Sequence, residues 1–183
     1  MIRSPPRFDL RPLTEADLPL LHRWLNAPHV RPWYGGGATE DDVAREYLPT
    51  LEPASPIHAY IAVYEGRPIG MLSWERMGDS PDFQRTYGVS DPDSANCDLF
   101  IGEVDTVHRG LGAPLLREFL ARVVFADPRI TTCIIDPQPE NTGAIRAYEK
   151  AGFRFLRVEP DDGEGNAVTL MELRREALFS PPA

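Results

Sequence analysis

Apolar and polar residues alternate from Arg7 to Leu13, the period-two signature of a half-buried strand. Thr14 follows as a helix N-cap, with Asp17 three residues on at capping-box spacing. Leu18, Leu21, Trp24 and Leu25 then form one helical stripe, closed by Pro28 and Pro32. Trp33-Tyr34-Gly35-Gly36-Gly37 predicts a loop with exposed aromatics, and a short acidic helix is expected from about Thr39 to Leu48. Ile57 to Tyr64 and Pro68 to Glu75 read as two strands of a hairpin turned at Glu65-Gly66-Arg67. The polar stretch from Met77 to Pro92 predicts a long loop.

Downstream the period changes. Cys97 to Val104 reads as a strand, and Gly110 to Phe125 as a helix with Leu111, Leu115, Leu116, Phe119, Leu120 and Val123 on its apolar side. Thr131 to Ile135 is a buried strand stopped by Pro137 and Pro139. Asn141 to Gly152 is a helix that Gly152 terminates. Phe153 to Glu159 and Ala167 to Leu173 close the chain as strands around an Asp161-Asp162-Gly163 turn. Antiparallel strands followed by strand–helix–strand–helix–strand–strand predict a mixed α/β sheet. At 183 residues and 42% hydrophobic, with no linker or repeat, residues 1–183 are expected to form one domain.

Charge narrows the partners. A net charge of −9 repels phosphates and attracts cations, so nucleic acid is not an expected partner and a polycationic small molecule is. Between Glu75 and Asp105, eight acids face only Arg76 and Arg85, which concentrates the negative charge in one region. Met1 to Phe8 lacks the apolar segment of a signal peptide, and no run approaches the roughly 18 apolar residues of a membrane span. A cytoplasmic protein, monomeric or homodimeric and without a membrane partner, is expected. Cys97 and Cys133 sit in apolar stretches without metal-ligand spacing, as buried free thiols do, and no metal is expected.

Val107-His108-Arg109-Gly110-Leu111-Gly112-Ala113 joins a strand to an amphipathic helix. Glycines at such a junction permit close approach of a ligand, and free amides at a helix start favour an anion. The same spacing also serves a plain strand-to-helix turn. About 30 residues on, Asn141-Thr142-Gly143-Ala144-Ile145-Arg146-Ala147-Tyr148-Glu149-Lys150-Ala151-Gly152-Phe153 has the form N-x-x-A-x-x-x-Y-E-K-x-G-F. Paired with the Arg-Gly-Leu-Gly loop, over roughly Ala95 to Phe155, it resembles the GCN5-related N-acetyltransferase (GNAT) superfamily. That resemblance implies an acyltransferase fold, with a central, mostly antiparallel sheet flanked by helices, and acetyl-coenzyme A as co-substrate. It implies a cofactor set of Phe100, Ile101, His108, Arg109, Gly110, Leu111, Gly112, Ala113, Asn141, Ala144 and Tyr148. In it the loop holds the pyrophosphate, Asn141 meets the pantetheine, and Tyr148 protonates the leaving thiolate. Val107 departs from the Gln or Arg often found there. On the residues alone, Tyr148 is equally a helix aromatic packed on the core.

A second resemblance covers most of the chain. Trp24-Leu25-Asn26, His29, Trp33-Tyr34-Gly35-Gly36, Glu46-Tyr47-Leu48-Pro49, Gly66-x-Pro68-Ile69-Gly70, Asp98, and Asp136-Pro137-x-Pro139-x-Asn141 are similar to aminoglycoside 6'-N-acetyltransferases. Siderophore-building lysine acyltransferases share much of this pattern, and a non-catalytic acyl-coenzyme A sensor is a third possibility. Asp98 is expected to begin the strand that leads into the glycine loop and Asp136 to end the neighbouring parallel strand, near the strand ends where ligands gather in open α/β sheets. Asp98, Asp136, Trp33, Tyr34, Tyr47 and Trp74 form the expected acceptor set, the acids for ammonium groups and the aromatics for flat faces and cation–π contact. Asp98, Asp136 and Tyr148 are the expected catalytic groups. Asp98 is placed first as the base and Asp136 as the orienting acid, with the two roles exchangeable.

Overall fold

The computed structural model describes residues 6–34, 37–89, 91–160 and 165–179. Among them β1 (Phe8–Pro12), β2 (His58–Tyr64), β3 (Arg67–Arg76), β4 (Ser94–Ile101), β5 (Thr132–Ile135), β6 (Arg154–Glu159) and β7 (Val168–Arg174) form one sheet. Their order is β1-β2-β3-β4-β5-β7-β6. The helices are α1 (Leu18–Leu25), α2 (Glu40–Tyr47), α3 (Pro81–Tyr87), α4 (Gly112–Arg122), α5 (Thr142–Ala151) and α6 (Arg175–Phe179). The expected mixed sheet flanked by helices is present. β1 and β2 run antiparallel, as do β5 and β7 and also β6 and β7, whereas β4 and β5 run parallel from Ser94↔Thr132 to Asn96↔Ile134.

Local chemistry explains the elements that sequence pattern predicts well. Glu65 (φ 52°) and Gly66 (φ 76°) both adopt the left-handed conformation between β2 and β3, as a two-residue hairpin turn requires. Thr39 caps α2 by accepting the Asp42 N–H at 3.1 Å, while its own N–H reaches Asp42 Oδ2 at 2.9 Å. Gly152 (φ 111°) ends α5 in the left-handed region.

Five readings need correction. Residues 77–92 are not one long loop: a 3-10 turn, Met77–Asp79, leads into α3. Pro81 suits the first turn of α3 and Gly88 (φ 60°) stops it, while Arg76 ties the segment through Asp79 and Asp93. β4 begins at Ser94 and ends at Ile101, because Ser94 and Asn96 are polar yet buried as partners of β5. The helix expected at 110–125 is α4 followed by a separate 3-10 turn, Val124–Ala126. Trp33 and Tyr34 are half-buried, not exposed. Finally, α6 follows the last strand. Gly35, Gly36 and the Asp161-Asp162-Gly163 turn lie outside the described residues.

The chain gathers into two compact units, Met1–Ser73 with Leu99–Leu115, and Trp74–Asp98 with Leu116–Ala183. The first has a core of Leu21, Trp24, Val43, Ile61, Met71 and Phe100. Trp24 meets Phe100 edge-on at 6.2 Å and donates to Glu103 Oε1 at 2.9 Å. The second unit buries Leu116, Phe119, Leu120 and Phe125. There Arg117 donates to the carbonyls of Ala151 and Leu178, both at 2.8 Å, placing a cation at the C-terminal ends of α5 and α6.

Asp17 is buried in the first unit and accepts a fork of two bonds from Arg11 at 2.6 and 2.7 Å. That hydrogen bonding, with help from Thr14, holds its carboxyl at about 2. A carboxylate whose folded pKa is depressed contributes stability above its unfolded pKa and loses it as pH falls through the folded value. Asp17→Asn is therefore expected to cost about 1–2 kcal/mol in urea unfolding at pH 7. The gap to wild type should narrow between about pH 4 and pH 2.

Candidate functional site

The first unit presents the glycine loop. After the 3-10 turn Val104–Thr106, His108 (φ 62°) and Gly110 (φ 76°) both enter the left-handed region, and α4 begins two residues beyond Gly110. Such alternating backbone at a helix start forms a concave array of N–H groups that suits an anion. Pro114 falls in the first turn of α4, where a missing N–H costs nothing. Leu111 is buried and anchors the loop, its carbonyl accepting the Leu115 N–H at 2.9 Å. His108, Arg109 and Gly110 are exposed, while Gly112 and Ala113 are half-buried. The Arg109 guanidinium carbon lies 5.9 Å from the Tyr64 ring centre.

The same unit holds the end of β4. Tyr34 donates its hydroxyl to the Leu99 carbonyl at 3.1 Å and packs edge-on to Phe100 at 5.0 Å. His29 Nε2 lies 2.9 Å from the Ile101 carbonyl, which makes Nε2 the protonated ring nitrogen. Alternate residues of a strand direct their carbonyls to one side. Tyr34 and His29 thus cover one edge of β4 with side chains. Tyr47 lies in this unit's core and is buried, and Trp33 is half-buried at the end of its 3-10 turn.

The second unit collects the titratable groups. Along β4, Asn96 and Asp98 alternate with Cys97 and so share one face of the strand. Asp98 lies within β4, not at its start, and Asp136 directly follows β5. Because the two strands are parallel, both acids lie toward carboxyl ends. Asp136 is half-buried, and its Oδ2 accepts the Tyr87 hydroxyl at 3.0 Å. Burial first, and the Asp98 charge second, push its pKa up to about 6, against the opposing hydrogen bond from Tyr87.

Tyr148 completes the cluster. Gly152 N–H bonds the Glu149 carbonyl at 3.0 Å, and Phe153 N–H bonds that of Tyr148 at 3.0 Å, the two bonds of a Schellman ending. The Phe153 ring lies 6.1 Å from that of Tyr148. The Y-E-K-A-G-F run thus fixes where Tyr148 stands. Burial raises its pKa well above the ordinary value, and the Asp98, Asp136 and Cys97 charges add to that, so its proton stays on at neutral pH. Asn141 Oδ1 caps α5, accepting the Ala144 N–H at 3.2 Å, with both residues half-buried. Trp74 is half-buried on β3. Cys97 and Cys133 are buried free thiols with sulfurs 3.1 Å apart, and burial raises the pKa of Cys97. Among the described residues no group of three His, Cys, Asp or Glu side chains is placed to hold a metal.

Asp98, Asp136 and Tyr148 therefore come together, whereas Tyr34 and Tyr47 serve the first unit's interior. Tyr87 and Asn96 escaped the reading of the sequence. Asn96 was visible as a polar position alternating with Ala95 and Cys97, but Tyr87 lay in a stretch without periodicity.

Comparison with known proteins identifies the family. Residues 14–158 match a model described as an acetyltransferase (GNAT) domain. The chain is 37% identical over 171 residues to aminoglycoside N(6')-acetyltransferase type 1 of Klebsiella pneumoniae, covering 91% of this chain and 83% of that protein. It is 30% identical over 179 residues to lysine N-acyltransferase MbtK of Mycolicibacterium paratuberculosis, covering 96% and 73%. The crystal structure of aminoglycoside acetyltransferase AAC(6')-Ib with coenzyme A and kanamycin superposes with a TM-score of 0.83 at 33% identity, covering 93% of this chain and 96% of that one.

A carboxylate with a raised folded pKa destabilises the fold above that pKa and has no effect below its unfolded value. Asp136→Asn is therefore expected to increase the unfolding free energy by about 1–2 kcal/mol at pH 7.5, and to change it little near pH 4. Denaturant titrations at the two pH values measure the difference.

Proposed function

Because the chain belongs to the GNAT acetyltransferase family, we propose that it transfers the acetyl group of acetyl-coenzyme A directly to the 6'-amine of an aminoglycoside. The observation that carries this reading is the half-buried carboxylate pair Asp98 and Asp136 beside a protonated Tyr148. Two acids in one site attract an acceptor with several ammonium groups, in keeping with the net charge of −9. An amine attacks only when neutral, so a carboxylate must also take its proton.

The loop from His108 to Ala113 suits the coenzyme pyrophosphate, with Arg109 supplying charge. Asn141, Ala144 and Tyr148 are assigned to the pantetheine arm. Backbone N–H groups of residues 98–101 orient the thioester carbonyl, and Phe100 and Ile101 are held for this by Tyr34 and His29. Tyr148 donates a proton to the departing sulfur. A covalent route through Cys97 is disfavoured, since its raised pKa keeps the thiol protonated. Trp33 and Trp74, half-buried and aromatic, are assigned to the acceptor. The enzyme works in the cytoplasm, where acetyl-coenzyme A is supplied. No described helix is long and apolar enough to cross a membrane.

A thiol-release assay with acetyl-coenzyme A against kanamycin, ribostamycin, lysine and spermidine tests the reading, with NMR locating the acetylated nitrogen. Release with the two aminoglycosides, at the 6'-amine where one is present, is expected. A clear preference for lysine would overturn the acceptor assignment. Asp98→Asn and Asp136→Asn are each expected to lower kcat/KM for kanamycin by roughly 10²-fold or more, while calorimetry shows coenzyme A still bound.

A further inference from the structure

The segment that sequence pattern assigns to a loop carries one residue into the acid cluster. Tyr87 ends α3 and is buried among Met77, Ile134, Val168 and Leu170. Its carbonyl accepts a bond from Arg157, and Gly88 turns the chain away immediately after it. Ring and backbone are both held, so the hydroxyl has a defined position, and that position is 3.0 Å from Asp136 Oδ2. The partner is equally fixed. Pro137 follows Asp136 and accepts the Thr169 N–H at 2.8 Å, tying the end of β5 to β7.

From this geometry we infer that Tyr87 is a positioning residue for Asp136, holding its carboxylate in place to receive the proton of the acceptor amine. The inference rests on the amine-acetylation reading above, though not on which amine is used. The groups facing Asp136 are Asp98 and Asn96 of β4, Tyr87 of α3 and Tyr148 of α5. Two carboxylates in one half-buried site do not both ionise freely, and a proton is shared between them. Burial and the Asp98 charge bring Asp136 to about 6, close to the pH at which a general base works best. The Tyr87 bond opposes that rise and keeps Asp136 ionised before reaction. In the transfer, the amine nitrogen bonds to the acyl carbon and its proton passes to Asp136. The carbon–sulfur bond breaks, and the sulfur takes the Tyr148 proton.

The test uses Tyr87→Phe, which keeps the packed ring and deletes only the hydroxyl. Carboxyl 13C NMR of the unliganded protein should show the Asp136 titration moved upward by roughly one pH unit, the size of one lost hydrogen bond to a charged oxygen. The acid limb of kcat/KM should move with it, so the variant loses several-fold more activity at pH 6 than at pH 8.5. In the residual activity of Asp98→Asn the limb should persist at lower pH, because a neighbouring negative charge is gone. An unmoved Asp136 titration in Tyr87→Phe, or a limb that disappears in Asp98→Asn, would falsify the inference. The NMR titration needs no acceptor, and the limb can be followed with whichever amine is acetylated. Preference for lysine over aminoglycosides therefore overturns the acceptor assignment and leaves this inference standing.

Discussion

A parallel register between β4 and β5, in a sheet whose other described pairings are antiparallel, is the constraint on which the site depends. Parallel neighbours end on the same side. Asp98, within β4 beyond the Asn96↔Ile134 pair, and Asp136, just past the end of β5, are thereby drawn to one end of the sheet. An antiparallel pairing would send the two acids to opposite ends. The short side chains of Ser94 and Ala95 sit where β4 meets β5, and the paired residues Ser94, Ala95 and Asn96 are all buried.

Drawing two acids together sets up an electrostatic conflict that the surrounding residues resolve unequally. An isolated buried carboxylate is costly, and a second one nearby raises the cost. Here the Tyr87 hydroxyl supports Asp136, while its pKa still rises to about 6. Burial first, with the same field adding to it, keeps the proton on Tyr148. One site therefore holds a group ready to accept a proton and another that retains one, the pairing acid–base chemistry needs near neutrality. The arrangement costs stability, as binding sites often do.

Several residues read as functional also perform structural work. Tyr148 lies four residues before the glycine that ends α5, and its carbonyl takes the bond that closes the helix. Asn141 begins the same helix by capping Ala144. In the first unit, Tyr34 and His29 hold the Leu99 and Ile101 carbonyls of β4. Motif and scaffold are the same residues here, which is why the family pattern is compact in sequence.

What the chain determined by itself is its short-range structure. The Glu65-Gly66 hairpin, the Thr14 and Thr39 caps, the glycine loop and the Asn141-to-Gly152 helix are written in neighbouring residues, because each depends on backbone preference or bonds across a few positions. That Asp98 and Asp136 fall on neighbouring strands was legible too, although Asp98 lies within β4 and not at its start. Only the tertiary structure decided that residues 81–87 form a helix, since a segment without apolar period takes its order from distant partners such as Asp136 and Arg157. It likewise decided that Tyr47 belongs to the core, that Tyr34 faces β4, and that Asp136 titrates near neutrality. Burial and charge proximity are properties of space, and residues far apart in the chain create them together.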